Sequence, residues 1–142
     1  MSDSKAIASP MLNMDEEEKV TFTRNIIAVL DEWKVQDSDQ IALLGLSDDT
    51  RSRQIRSYRQ GSTVLPENDA RVNEFIDHLL GIDDALRTSN PCNAAAGGMW
   101  MNRVNNRFKD RTPLNAMLED GIIGIVAVRI HLDCAYDWHI SS

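Results

Sequence analysis

The sequence predicts an all-α chain, and three observations carry that expectation. First, Val72, Phe75, Ile76, Leu79 and Leu80 stand at i, i+3, i+4, i+7 and i+8, the single buried stripe of an amphipathic helix. Second, start and stop signals bracket the apolar stretches, with Pro66 and Thr112-Pro113 at starts and Gly45, Gly61 and Gly121 at ends. Third, the one segment whose pattern also suits a strand, residues 122–136, has no strand partner elsewhere, and a lone strand cannot satisfy its backbone groups.

Residues 1–15 are polar, contain Pro10, and read as a mobile tail. A first helix is expected over Glu16 to Glu32, with Val20, Phe22, Ile26, Ile27 and Leu30 apolar and Trp33 just beyond. The acidic run Asp15-Glu16-Glu17-Glu18 lacks the spacing and glycine of a calcium loop and reads as a solvated helix N-terminus. A short second helix, about Ser38 to Leu44, ends at Gly45. Ser47 then reads as the N-cap of a third helix, with Asp48 and Asp49 in its first turn and Gly61 as its stop. The fourth helix opens at Pro66, with Glu67 and Asp69 in the first turn; Gly81 is placed to bend or end it, Leu86 to continue it. Thr88 to Gly98, with Pro91 and two glycines, reads as a linker.

The back half starts near Met99 with a helix whose apolar face is Trp100, Met101, Val104 and Phe108. Thr112-Pro113 begins a short helix with Leu114, Met117 and Leu118 on its inner face. In the last segment Ile122, Ile123, Ile125 and Val126 fit a helix, whereas Val128, Ile130 and Leu132 alternate with Arg129, His131 and Asp133 as a strand would. β-branched residues favour strand; the missing partner decides for helix. The expected organisation is a tail over 1–15, a helical bundle over 16–88 and a smaller helical domain over 96–142.

The net charge of −7 is uneven: residues 1–49 hold 4 basic and 11 acidic residues, residues 50–142 hold 11 of each. An acidic total argues against non-specific adhesion to nucleic acid without excluding a local basic face. No apolar run reaches membrane-spanning length, and Met1-Ser2-Asp3-Ser4-Lys5 lacks the order of a secretion signal. Cys92 and Cys134, outside any CxxC spacing, fit free thiols in a reducing cytoplasm. There is no phosphate loop, no HExxH and no GxSxG. His78, His131 and His139 have no carboxylate or thiol at metal-ligand spacing. Neither an enzyme nor a cofactor is expected, and His78, beside the apolar stripe, reads as a partly buried structural histidine.

The arginines are more telling. Arg51, Arg53, Arg56 and Arg59 fall in the third helix, four positive charges against two from Asp48 and Asp49. A short helix, a glycine-containing turn and a basic second helix make a helix-turn-helix. Ser47, Thr50, Arg51, Arg53, Gln54 and Arg56 are then the candidate DNA contacts, arginine suiting guanine and glutamine adenine. The position six after the turn glycine, usually apolar, is Arg51, and the helix is about a turn long; a solvated basic face is the alternative. In the back half Trp100, Arg107, Phe108, Arg111 and Trp138 are types favoured at protein interfaces, although a core demands the same aromatics.

Three blocks resemble the MbcA/ParS/Xre antitoxin family over about residues 33–138. The first is Trp33 with Ala42-Leu43-Leu44-Gly45-Leu46-Ser47 and Thr50. The second is Leu65-Pro66, Arg71-Val72, His78-Leu79-Leu80-Gly81-Ile82 and Ala85-Leu86-Arg87. The third is Trp100-Met101, Asn105, Phe108, Arg111-Thr112-Pro113-Leu114, Met117-Leu118, Val128-Arg129 and Leu132-Asp133, and looks like the family's toxin-binding domain. The family usually has proline at Val104, a glycine pair at Lys109-Asp110, and a shorter recognition helix ending in tryptophan near Tyr58.

The resemblance implies an all-α fold, a helix-turn-helix N-terminal bundle followed by a small helical toxin-binding domain, with 122–136 helical. It implies a type II antitoxin that covers the active site of a RES-domain toxin degrading NAD, or of a related ADP-ribosylating toxin. It also implies a homodimer that represses its own operon. Toxin contacts are then expected from Trp100, Asn105, Arg107, Phe108, Arg111, Arg129, Asp133 and Trp138, operator contacts from the third-helix set. A stand-alone helix-turn-helix regulator, its back half serving only dimerisation, is the alternative.

Overall fold

A capping box starts the first helix. The computed structural model describes residues 8–93 and 95–141, with side chains as far as Cys134. In it the Asp15 carboxylate accepts from the Glu18 amide (2.8 Å) and the Glu18 carboxylate from the Asp15 amide (2.9 Å). Helix α1 (Glu16–Glu32) buries Thr23, Ile26, Ile27 and Leu30 and closes on Trp33, itself buried. The segment before it departs from the expected tail: Met11 is fully buried in the core. Burying such a side chain contributes roughly 1.5–3 kcal/mol, enough to hold a short polar segment down. Residues 1–7 of that expected tail lie outside the described residues.

Helix α2 (Asp37–Leu43) lies one residue earlier than expected and turns out through Gly45 at φ +72°. A Cβ on Gly45 would meet the Phe75 ring at 2.9 Å, so both its conformation and its contact call for glycine. Helix α3 (Ser52–Gln60) begins five residues after Ser47. The expected cap fails because Ser47 closes a local turn instead: its hydroxyl bonds the Asp49 carboxylate (2.5 Å) and Thr50 Oγ1 (3.2 Å), and its carbonyl accepts from the Thr50 amide. The N-cap is Arg51, without a side-chain capping bond, and the link from α2 spans residues 44–51 rather than a three- or four-residue turn. This resolves the odd arginine six after the turn glycine. Arg51 precedes the helix, and Ile55 and Tyr58 pack it onto the core. Gly61, left-handed at φ +80°, ends α3 as expected.

Helix α4 (Ala70–Ser89) starts four residues after Pro66, because Asp69 is the better cap: its carboxylate accepts from the Arg71 and Val72 amides. Pro66 belongs to the preceding loop, where the buried Leu65 amide donates to Thr23 Oγ1. Helix α4 runs on through Gly81, where a Cβ would lie 2.5 Å from the Arg129 guanidinium.

The helix expected from Met99 through Phe108 is broken. Helix α5 (Ala96–Met101) ends at Asn102, whose side-chain amide donates to the Trp33 and Gly98 carbonyls. Tied back to α1 in this way, the chain leaves the helical path. Val104 is 62% exposed, and Phe108 enters the core from a 3-10 turn (Asn106–Phe108). Asn105 and Arg111 form an isolated bridge across this loop. Lys109 and Asp110 both adopt left-handed backbone (φ 61° and 63°), at the two positions where the resemblance leads one to expect glycines. Each costs on the order of 1 kcal/mol there. The double substitution Lys109→Gly/Asp110→Gly is expected to raise the urea-unfolding free energy by about 1 kcal/mol, the relieved strain exceeding the added chain entropy of glycine; a loss would show that the loop does not hold this conformation.

Helix α6 (Pro113–Asp120) starts as expected, with Thr112 Oγ1 accepting from the Asn115 amide. Helix α7 (Ile122–Ser141) settles the helix-or-strand ambiguity, with Ile125, Val128 and Leu132 on its buried face. The fold is all-α; among the described residues there is no strand beyond the single bridge. Helix α7 packs on α4 and α6, and α3 packs on α1 and α2. One continuous core joins front residues such as Ile27, Leu43 and Ile76 to Met101, Phe108, Met117 and Ile125. The segment between 88 and 96 therefore does not separate two cores.

Candidate functional site

Two surfaces carry the residues singled out in the sequence. The first is the outer face of α3. Arg53 and Arg56, three apart and exposed, share this face, with exposed Arg51 at its start. None of the three has an ion-pair or hydrogen-bond partner among the described residues. Arg59 faces elsewhere. Its guanidinium bonds Asp31 (2.9 and 3.0 Å) and Asp37 (2.8 Å), joining α3 to α1 and α2, and these carboxylates push it further above its ordinary pKa. Burial pushes the Asp31 carboxyl up, but hydrogen bonds from Arg59 and Gln40 outweigh it and hold it below its ordinary value. Gln54 is engaged with Thr63 (3.2 Å), and Ser47 and Thr50 with their own turn. Asp48 and Asp49 border the same edge. The structure thus leaves Arg51, Arg53 and Arg56 available to an anion and ties up Ser47, Thr50 and Gln54.

The second surface lies over α5, the 3-10 turn and α7. Trp100 stacks on His131 (ring centroids 6.0 Å apart, planes within 15°), and Phe108 sets its ring edge-on to both, at 6.3 Å and 5.4 Å. Burial, with the Arg107 charge, pushes the His131 pKa down. The unfolded chain then takes up a proton at a pH where the folded one does not. Stability falls as pH drops below about 6.5 towards the lower folded value. Urea midpoints should therefore fall between pH 7.5 and pH 5.5 by more in the wild type than in His131→Phe; equal falls would remove His131 as the cause.

Of the eight expected partner-contacting residues, the structure divides the seven with described side chains. Trp100 is half-buried, and Arg107 is exposed with no side-chain partner among the described residues. Phe108 is 6% exposed and belongs to the core, not the surface. Asn105 accepts from the Arg107 amide and starts the 3-10 turn. Arg111 is a clasp within the back half: it donates to the Phe108 carbonyl, Glu119 and Asp120. Arg129 ties α7 to α4 through Asp77 (3.1 Å) and His78 Nδ1 (3.1 Å), which gives His78 its structural partner. Asp133 is exposed at the edge of that tie, 4.0 Å from Arg129. Trp138 lies outside the described side chains.

Sequence reading missed four exposed apolar side chains of the back half. Met99 (56%), Val104 (62%), Ile123 (76%) and Ile130 (56%) are out in solvent. Val104 could have been found from Asn102, a helix-breaking type just before it. Ile123 and Ile130 could not, because α7 is apolar nearly all round. Both cysteines are exposed and unpaired. Among the described residues no group of three metal-ligating side chains is assembled, and no helix is long and apolar enough to cross a membrane.

No protein-family model matches the chain. It is 33% identical over 105 residues to the uncharacterized protein y4oB of Sinorhizobium fredii, a match covering 74% of this chain and 76% of that protein. At that identity, over most of both lengths, the chain belongs to the same family as y4oB.

Proposed function

We propose that this protein is a cytoplasmic, non-enzymatic antitoxin of a type II toxin–antitoxin pair. It neutralises a RES-type, NAD-degrading toxin by docking its back half over the active-site cleft. As a homodimer it represses its own operon through α3. The observation that carries the reading is the third block of the antitoxin resemblance, from Trp100-Met101 to Leu132-Asp133. Its Trp100 stands half-exposed on His131, the ring that also feels the Arg107 charge. Arg107 is exposed with no partner among the described residues, and Met99 and Val104 face solvent. Aromatic, arginine and methionine side chains are the types enriched in protein interfaces. Phe108, Asn105, Arg111 and Arg129 support this surface from beneath rather than meeting the toxin.

The test is co-expression with the product of the neighbouring gene, followed by size exclusion and an assay of NAD loss. A stable co-eluting complex that stops NAD loss is expected. A homodimer without a partner would leave the second reading, a stand-alone transcription regulator, which the three arginines of the α3 face, without ion-pair partners among the described residues, favour on their own. On the primary reading Arg53→Ala weakens operator binding about tenfold and flattens the salt dependence by about one phosphate contact, while toxin inhibition is unchanged. Equal operator affinity in wild type and variant would remove α3 from the DNA interface.

A further inference from the structure

Between α2, the 44–51 loop, the start of α4 and the α6–α7 turn lies a groove of about 810 Å³ that shares Thr50 and Arg51 with the operator-facing edge but is otherwise outside the surfaces of the proposed function. Its volume falls within the range of clefts that take small molecules, roughly 300–1,000 Å³. Its apolar lining comes from Ile41, Leu46, Phe75 and Ile122. Over it stand two guanidinium groups, Arg51 and Arg71, neither in an ion pair among the described residues. The Arg71 guanidinium carbon lies over the Phe75 ring, 5.2 Å from its centroid. Asp48 and Glu74 also line the groove and pair with neither arginine.

The geometry points to a binding site for a small monocarboxylate with an apolar body. The body lies on Ile41 and Ile122 and the exposed edges of Leu46 and Phe75, and the carboxylate meets Arg71, with Arg51 on the same lining, in the bidentate mode that a planar guanidinium suits. The two acidic neighbours set the charge of the ligand: one negative charge is matched by the arginines, whereas a second meets Asp48 and Glu74 and is repelled. Phosphate esters and dicarboxylates are thereby disfavoured. Alkyl and aryl acids share the required chemistry, and the lining admits either.

The proposal is independent of any toxin and is tested on the full chain alone. Calorimetric titration with octanoate and with 2-naphthoate is expected to give saturable one-to-one binding of at least one of them. The matching amide (octanamide or 2-naphthamide), equal in apolar body but uncharged, should bind at least tenfold more weakly than the acid that binds. Arg71→Gln should weaken carboxylate binding at least tenfold at unchanged melting temperature, while Arg103→Gln, far along the chain on an exposed loop residue, should leave it unchanged. Absence of saturable binding by both acids, equal binding of the acid that binds and its own amide, or unchanged affinity in Arg71→Gln would each overturn the site. The amide comparison uses only the wild-type protein, so the proposal stays decidable even if the variant fails to fold.

Discussion

Replacing Gly98 by alanine is expected to cost 3 kcal/mol or more of unfolding free energy, while the same change at Gly97, one residue away in α5, costs nothing. A Cβ on Gly98 would run into the Glu32 carbonyl oxygen, a backbone atom at the end of α1 that cannot swing aside. The contact would push α5 off α1. With it would go the two hydrogen bonds by which Asn102 holds the Trp33 and Gly98 carbonyls, at 2.9 and 2.8 Å. Overpacking of a close backbone contact costs about 1–3 kcal/mol, and each lost part-buried hydrogen bond up to about 1 kcal/mol more. At Gly97 the nearest atoms are Trp33 Nε1 at 3.4 Å and a Leu86 methyl at 3.5 Å, which is ordinary contact. There alanine gains up to about 1 kcal/mol from helix propensity. Urea denaturation of both variants checks the pair. Equal midpoints would mean that α5 does not sit against the end of α1, and the surface that carries Trp100 would be misplaced with it.

That junction also shows what the sequence could and could not tell. Periodicity and caps locate α1 to the residue and α6, because those signals are local: Asp15 and Glu18 cap each other, and Thr112-Pro113 is its own start. The helical nature of α7 follows instead from the missing strand partner, against a β-branched local pattern. Two starts were misjudged because two local signals competed and the weaker-looking one won, Asp69 over Pro66 and the Ser47 turn over a Ser47 cap. The breaks around α5 were invisible for a different reason. Asn102 stops the helix by reaching the carbonyl of Trp33, 69 residues away, and no window along the chain contains both. The same holds for site residues. Residue type marked Arg59, Arg111 and Arg129 as readily as Arg53 and Arg107. Only the fold shows that the first three are held by Asp31, Asp120 and Asp77.

The division among the arginines makes the second large prediction. On the proposed reading Arg107→Ala weakens the complex with the toxin by about 2 kcal/mol, some thirtyfold, and leaves the melting temperature of the free protein where it was. Among the described residues Arg107 has no partner to lose, so its removal is felt when another surface covers it. Arg129→Ala does the reverse. It takes the tie between α7 and α4 away from Asp77 and His78 and leaves open space beside Gly81, so it lowers the unfolding free energy by about 1–2 kcal/mol. Its effect on toxin binding is then no larger than the loosening of α7 produces. Binding and melting measured side by side separate the two residues, which the sequence alone placed in one interface. If Arg129→Ala loses affinity thirtyfold with an unchanged melting temperature, the guanidinium leaves Asp77 to meet the partner, and the docking surface extends from the α5 side across α7 to the α4 edge.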